Sequence, residues 1–509
     1  MCNRCVVPFK NVVVRTLFFG GVMANRRIEK IKIPVKPEEL TLDLIMLYIE
    51  QVVNEFKSNA KIIRENYDLY CLDQPILGKK RTYSDDSDIN NIVAIPNIRS
   101  VLEWVIGYTV GNPIKYAQTR DNQTDDIQIL NKHFRSAKKF KIDEEWVEWA
   151  LVSGVGYTFI QPRTGNYDIR EVAPFEIYTV DADSCTKVYS SYLGNKPLFD
   201  LIYNQYEELD KDKMRHKREV LDIYTTYYKY TIEKKDGVGE WICTKTEERG
   251  LFQYLPLTEK RRCKDGIGLV EMGKHLADTM DNLISSGLDD IDEIVNQFFV
   301  YYNVVLGDTP QDQAKKHRDA RKNGVAVLNG GSKEMPPKLD TITPQLNLQE
   351  VRYLYGLVNE VFHAVCGAPM ETSNTNSGGT TKQGSEVANG YDNAFTRFLK
   401  NSNYFLDADY ELLEKAMWIE KNKTGSGINT ITAYDITVKY QPNLTDNILT
   451  KSQSYGTFIQ TMPPQMALRY TRLSSDPEAE GKEIENCPAY QQSIKNGETI
   501  DIVEETKPL

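Results

Sequence analysis

Apolar residues within 38–66 recur at helical spacing: Leu42, Leu44, Ile45, Leu47, Tyr48, Val52, Val53 and Phe56. That spacing predicts an amphipathic helix. "YDLYCLDQPIL" and a charged break, "GKKRTYSDDSDINN", follow it. A second helix starts after Pro96 in "PNIRSVLEWVIGYTVGNPIKY" and stops at Gly111, Asn112 and Pro113, because Gly frees the backbone and Pro cannot continue the ladder. Within 142–161, "IDEEWVEWALVSGVG" predicts a helix running into an apolar strand, "YTFIQP". The period then changes to two as far as about residue 257. "NYDIREVAPFEIYTV" and "VLDIYTTYYKYTIEKKDGVGEWICTKT" alternate, and Lys-Asp-Gly at 235–237 signals a hairpin. The first half reads as an α+β body.

The second half is mostly helical. Leu276, Met280, Leu283, Ile284, Leu288, Ile291, Ile294, Val295 and Phe298 predict one long helix over 268–303 with an apolar stripe. Its polar face is acidic: Asp278, Asp281, Asp289, Asp290, Asp292 and Glu293. A small segment, 304–346, holds a basic helix-like run (Lys315, Lys316, His317, Arg318, Arg321, Lys322), a short strand "VAVLN" and a Gly-Gly turn. A helix over 347–366 follows, with Leu348, Val351, Leu354, Tyr355, Val358, Val361, Phe362 and Val365 on one face. "ETSNTNSGGTTKQG" (371–384) then interrupts the pattern, a long polar loop that requires a reason. A third helix is expected over about 385–422, a strand over 431–442, and short helices in a tail ending in an acidic, disordered stretch.

The chain has 509 residues and a net charge of −10, so its surface as a whole is not built to hold nucleic acid, whose affinity depends on Lys and Arg at phosphates. Eight scattered cysteines suggest reduced thiols rather than a disulfide framework. Cys2 and Cys5 form one C-x-x-C, without the second pair a zinc site needs. Residues 1–23 faintly resemble a signal h-region, but Lys10 and Arg15 interrupt it. The expectation is a poorly ordered extension, or a start assigned too early. No stretch is long and apolar enough for a membrane span, so a soluble protein without membrane contact is expected.

The loop with Lys382 lacks the Gly-Lys-[Ser/Thr] order of a P-loop and follows a helix. Hydrolase and metalloprotease motifs are missing too. A row of carboxylates on a helix face is ordinarily a solvated face. No catalytic residue, metal or cofactor is assigned, and a structural or interaction protein is expected.

The order of elements, with three stretches in particular, resembles the portal proteins of tailed bacteriophages, of the type found in long-tailed phages of Gram-positive hosts. The stretches are "YDLYCLDQPILGKKR…NNIVAIPNIRSVLEWVIGYTVGNPIKY", "VSGVGYTFIQP" and "LSSDPEAEGKEIE". The resemblance spans roughly residues 65–490. It implies a dodecameric ring at one capsid vertex, through which double-stranded DNA enters and leaves without sequence specificity. Implied partners are the terminase large subunit, head-completion or adaptor proteins, and major capsid and scaffolding proteins. The implied location is the virion, with assembly in the host cytoplasm.

By this resemblance residues 1–34 are an extension and 35–265 with 385–446 form an α/β wing. Residues 266–303 and 347–366 form a two-helix stem, 304–346 a small α/β clip, 367–384 the tunnel loop, and 447–509 the helical crown and tail. Twelve chains of −10 make a ring of roughly −120, whose acidic stem would repel a passing duplex rather than grip it. The stem stripes find partners either in neighbouring subunits or within one chain.

Asn374, Asn376, Gly378, Gly379, Thr380, Thr381, Lys382 and Gln383 would touch phosphates weakly, with one lysine per subunit; otherwise the loop is a surface connector. The family's tunnel loop is shorter or partly helical, so this length is a departure. The basic run 315–322 either docks the packaging motor and later the head-completion proteins or is a solvated helix face. The thirty tyrosines suit core and interface better than base stacking. Two alternatives stay open: a monomeric scaffold or adaptor, and a nucleic-acid enzyme subunit of the packaging machinery.

Overall fold

A computed structural model describes residues 26–79, 90–118, 125–209, 215–235, 239–295, 298–304, 309–313, 315–316, 338–342, 348–370, 380–423, 428, 431–443, 448–459, 462–471 and 477–487. They fall in two units, one up to Pro442 and one from Asn443.

In the first unit, Thr41 is extended and its side chain accepts the Leu44 N–H at 3.5 Å, capping α1 (Leu42–Tyr70). The inward face of α1, Ile45, Ile49, Val52, Val53 and Phe56, packs on a six-stranded sheet. That sheet has the order β1 (Ile31–Ile33), β5 (Cys185–Ser190), β6 (Pro197–Leu209), β7 (Arg215–Tyr224), β8 (Tyr228–Lys235), β9 (Ile242–Glu248). Only β1 runs parallel to its neighbour. Leu201 opposite Ile223, and Leu221 opposite Ile232, put alternate residues on the helix side, as a period of two requires. Each such fully buried side chain contributes about 1.5–3 kcal/mol.

A second layer centres on α4 (Lys139–Ser153), which packs on α2 (Asn97–Val110) and on a three-stranded sheet. The sheet has the order β10 (Leu257–Arg261), β3 (Val155–Pro162), β4 (Phe175–Val180). Gly154 ends α4 with φ +100°, and a Cβ there would lie 2.3 Å from the Gly266 carbonyl oxygen. Both the left-handed turn and the close approach therefore need glycine. They seat the end of α4 against the chain that enters α5 (Leu269–Val295).

Helix α3 (Asp125–Ser136) and β2 (Lys115–Gln118), paired with β13 (Ile436–Lys439), complete the body; α3, β1 and β2 are additions to the elements expected from periodicity. The hairpin expected at 235–237 joins β8 and β9, which do pair antiparallel; residues 236–238 lie outside the described residues.

Three expected elements differ. The long helix stops at Val295, and 298–302 is a strand, β11 (Phe298–Tyr302), paired with β12 (Lys338–Ile342). "FFVYY" is a continuous aromatic and β-branched run, which suits a paired strand better than a helix stripe. The strand expected over 431–442 is shorter: Ala433–Asp435 form a 3-10 turn, capped reciprocally by Thr432 and Asp435, ahead of β13. The third long helix, α7 (Thr380–Asn422), begins about five residues before the start expected at 385. Helix α6 (Leu348–Cys366) falls where it was expected, while "VAVLN" lies outside the described residues.

Helix α7 joins the sheets through buried charge. Lys260 on β10 donates to Asp409 at 2.9 Å and to the Tyr440 hydroxyl at 2.9 Å, and its ammonium sits 3.9 Å from the Trp146 ring centre. Lys415 donates to Glu411, the Thr258 hydroxyl and the Leu257 carbonyl. Glu411 also receives Lys187 at 2.6 Å. Burial pulls Lys415 down to about 8, with Glu411 opposing.

The second unit contains α8 (Ile448–Phe458), α9 (Pro464–Thr471) and α10 (Pro477–Asn486). Ala467 and Leu468 are buried, and Gly481 on α10 lies close on Gln465 of α9.

Candidate functional site

Helices α5 and α6 run antiparallel. Gly273 near the start of α5 meets Phe362 and Cys366 near the end of α6, and Gly287 meets Val351. A Cβ on Gly273 would come within 2.8 Å of the Phe362 ring, so a small residue is what lets the helices approach. Leu269, Val270, Ala277 and Met280 share one core with Phe362, Cys366 and residues of α2 and α4. Burial pushes the Cys366 thiol up to about 12, which marks a packed rather than a reactive thiol.

A second face of α5 carries Asp281, Ser285 and Asp289, at steps of four. All three are buried. Each accepts a backbone N–H from an extended segment laid along the helix: Asn91 to Asp289 at 2.6 Å, Val93 to Ser285 at 3.0 Å, Ile95 to Asp281 at 3.1 Å. The match is geometric. Four helical residues rise about 6 Å and two extended residues about 6.6 Å, so the two repeats stay in register over three steps. Lys79 lies 3.6 Å from Asp289, and Asn91 also donates its side-chain amide to Asp292 at 2.7 Å.

The six carboxylates expected on one acidic face are thus divided. Asp281 and Asp289 are turned inward as acceptors. Asp278 is half-buried, and Asp290 and Asp292 are exposed. Glu293 belongs to the last turns of α5. Burial raises the Asp281 carboxyl to about 6, against the Ile95 N–H, and raises Asp278 as well.

The ladder gives a prediction. Asp281→Leu leaves the Ile95 N–H without its acceptor and should cost about 1–3 kcal/mol, whereas Asp281→Asn keeps an oxygen there and should cost less. The pH dependence has a definite sign. The folded state holds a proton on Asp281 that the unfolded chain has already lost between pH 4 and 6, so this contribution falls as pH rises through about 6. Asp281→Asn lacks that slope. Urea unfolding at pH 4, 5, 6 and 7 should show the variant gaining on the wild type across this window; a constant difference contradicts the assignment.

The far end of α6 is fixed by α7. Gly367 turns at φ +81°, and its N–H and that of Ala368 return to the His363 carbonyl at 2.8 and 3.1 Å. Arg397 on α7 donates to the Val365 and Ala364 carbonyls at 2.7 and 2.8 Å. One guanidinium thus satisfies two helix-end acceptors and complements the helix dipole. Arg397→Leu should lower stability by about 1–3 kcal/mol, read by urea unfolding.

This anchored corner precedes the polar loop. Asn374, Asn376, Gly378 and Gly379 lie outside the described residues. Thr380, Thr381, Lys382 and Gln383 belong by backbone to the first turn of α7. Lys315 and Lys316 are helical and exposed, while His317, Arg318, Arg321 and Lys322 lie outside the described residues. The structure therefore brings the acidic residues onto one helix and does not assemble the other two groups into a described site. Sequence reading missed Arg397, the ladder and the buried pairs. The D-x-x-x-S-x-x-x-D spacing of the ladder was visible, but its partners are backbone atoms nearly 200 residues upstream.

Among the described residues there is no group of three or more His, Cys, Asp or Glu side chains fit to hold a metal ion, and no helix is long and apolar enough to cross a membrane. Cys2 and Cys5 lie outside the described residues.

Residues 49–493 match the family described as "Phage portal protein, SPP1 Gp6-like". The match takes in α5, its ladder, α6, α7 and most of the α/β body, and the chain belongs to that family. It is a portal protein, a structural component of the virion at the head–tail connector. No curated protein matches the chain. Among solved structures, it is similar to a chain from the virion of a native gene transfer agent particle at 10% identity, over 75% of this chain and 90% of that one, with a TM-score of 0.36. It is similar to a chain from the neck of an empty particle of that kind at 11% identity, over 75% and 92%, also with a TM-score of 0.36.

Proposed function

We propose that twelve copies of this chain form a ring at one capsid vertex, and that duplex DNA passes through its centre during packaging and ejection. In this reading α5 and α6 are the stem. Because α5 ends at Val295, the clip, expected over 304–346, is drawn to include the β11–β12 pair; 35–265 and 385–446 form the wing, 367–384 the tunnel loop, and 447–509 the crown and tail. The clip docks the terminase motor and later the head-completion proteins, Lys315 and Lys316 lying on that surface. The wing meets capsid and scaffolding proteins.

The observation that carries the reading is the second face of α6. Tyr355, Val358 and Phe362 turn into the core. Tyr353 is 71% exposed, and Leu354, Leu357 and Val361 are 46, 46 and 42% exposed. Spaced three and four apart, they form an apolar stripe that no described part of the chain covers. Such a stripe marks an interaction surface, and in a closed ring each copy covers its neighbour's. The exposed Asp290 and Asp292 keep a DNA-lining stem from gripping phosphate.

The channel is tested by packaging duplex DNA into particles that carry Lys382→Glu. Reduced DNA per particle with normal rings supports a loop lysine on the DNA path. Unchanged DNA length and retention would remove Lys382 from it.

A further inference from the structure

The α/β body carries a groove of about 610 Å³ between β2, the end of α3 and the start of α4. Lys115, Arg135 and Lys138 line it and are exposed. Among the described residues none of the three has a carboxylate partner. The one lining carboxylate, Asp143, is buried and already held by Lys139. In a chain of net charge −10 this is a local excess of positive charge.

Two further features share the groove. Phe140 is 46% exposed at its wall, beside the buried rings of Tyr116 and Phe134. Strand β2 pairs with β13 along one edge and with no described strand along the other. The Tyr116 carbonyl accepts from the side-chain amide of Asn131 on α3 at 3.4 Å. An open strand edge supports addition of an extended segment, with backbone bonds giving affinity and alternate side chains giving specificity.

We propose that this groove docks an extended acidic peptide segment of a partner protein. The peptide backbone runs along β2, an apolar side chain rests on Phe140, and carboxylates meet Lys115, Arg135 and Lys138. A concave, ring-walled site of this size suits side chains better than a duplex, which needs cations spaced along a ridge of phosphates.

The test uses the full chain and a short fluorescein-labelled peptide alternating glutamate with leucine. Fluorescence anisotropy at low salt should show saturable binding. Lys115→Glu with Lys138→Glu should weaken it about tenfold or more, and Phe140→Ser about threefold or more. Both variants alter exposed side chains, so unfolding midpoints near the wild type confirm that the fold is intact. A lysine–leucine peptide of equal length should not bind. Equal peptide affinity in wild type and variants, or variants that change binding to a labelled DNA duplex and not to the peptide, overturns the proposal. No peptide binding at low salt overturns it as well. The result does not depend on ring formation, so it stands or falls apart from the channel reading.

Discussion

Leu357→Asp with Val361→Asp is expected to abolish ring formation while leaving the single chain folded. Both side chains are nearly half exposed in one copy, where such changes usually alter stability by about 0.5 kcal/mol or less. In a ring they would be covered by the next subunit. Each interface would then bury two carboxylates without partners, at several kcal/mol per charge, and the penalty recurs at every interface around the ring. Light scattering coupled to size exclusion should give a single-chain mass for the variant. Urea unfolding should give a midpoint near that of wild-type single chains. A variant that still forms rings shows that the stripe lies elsewhere than at the subunit contact.

Asp409→Ala is expected to lower stability by about 3–5 kcal/mol, the larger of the folding effects. It strands the Lys260 ammonium, which is fully buried among Trp146, Phe405 and Tyr440. Burial already pulls Lys260 below its usual range, with Asp409 the largest opposing influence. The Tyr440 hydroxyl also loses an acceptor, since it donates to Asp409 at 2.5 Å. Replacing both charges, Lys260→Met with Asp409→Leu, should recover most of the loss, because neither side then leaves a bare charge. Urea unfolding of the two single variants and the double variant gives the coupling. Additive losses would mean that the pair acts as two independent groups.

The legible part of the fold is the part set by local periodicity. Helix α1, the end of α2 at Gly111, the run of β-strands and α6 all follow from spacing and turn residues. The end of α5 was not legible, because Phe298 continues a helical spacing while its neighbours favour a strand whose partner lies about forty residues on. The start of α7 was hidden because Thr380–Gly384 carry no apolar period. The acidic face was visible as residue type and spacing, with Asp281, Ser285 and Asp289 four apart, but not in its orientation. Which carboxylates turn inward depends on an extended segment that joins α5 from residues 91–95, and no pattern within α5 encodes that segment. The family resemblance was legible from element order together with short motifs, and the match over 49–493 bears it out.

The most direct test of the ring is electron microscopy of the purified chain, with class averages viewed down the particle axis. The account predicts closed rings of about twelve subunits, with a central hole wide enough for a DNA duplex. Single chains or closed dimers without a hole, at every salt and protein concentration, would contradict it.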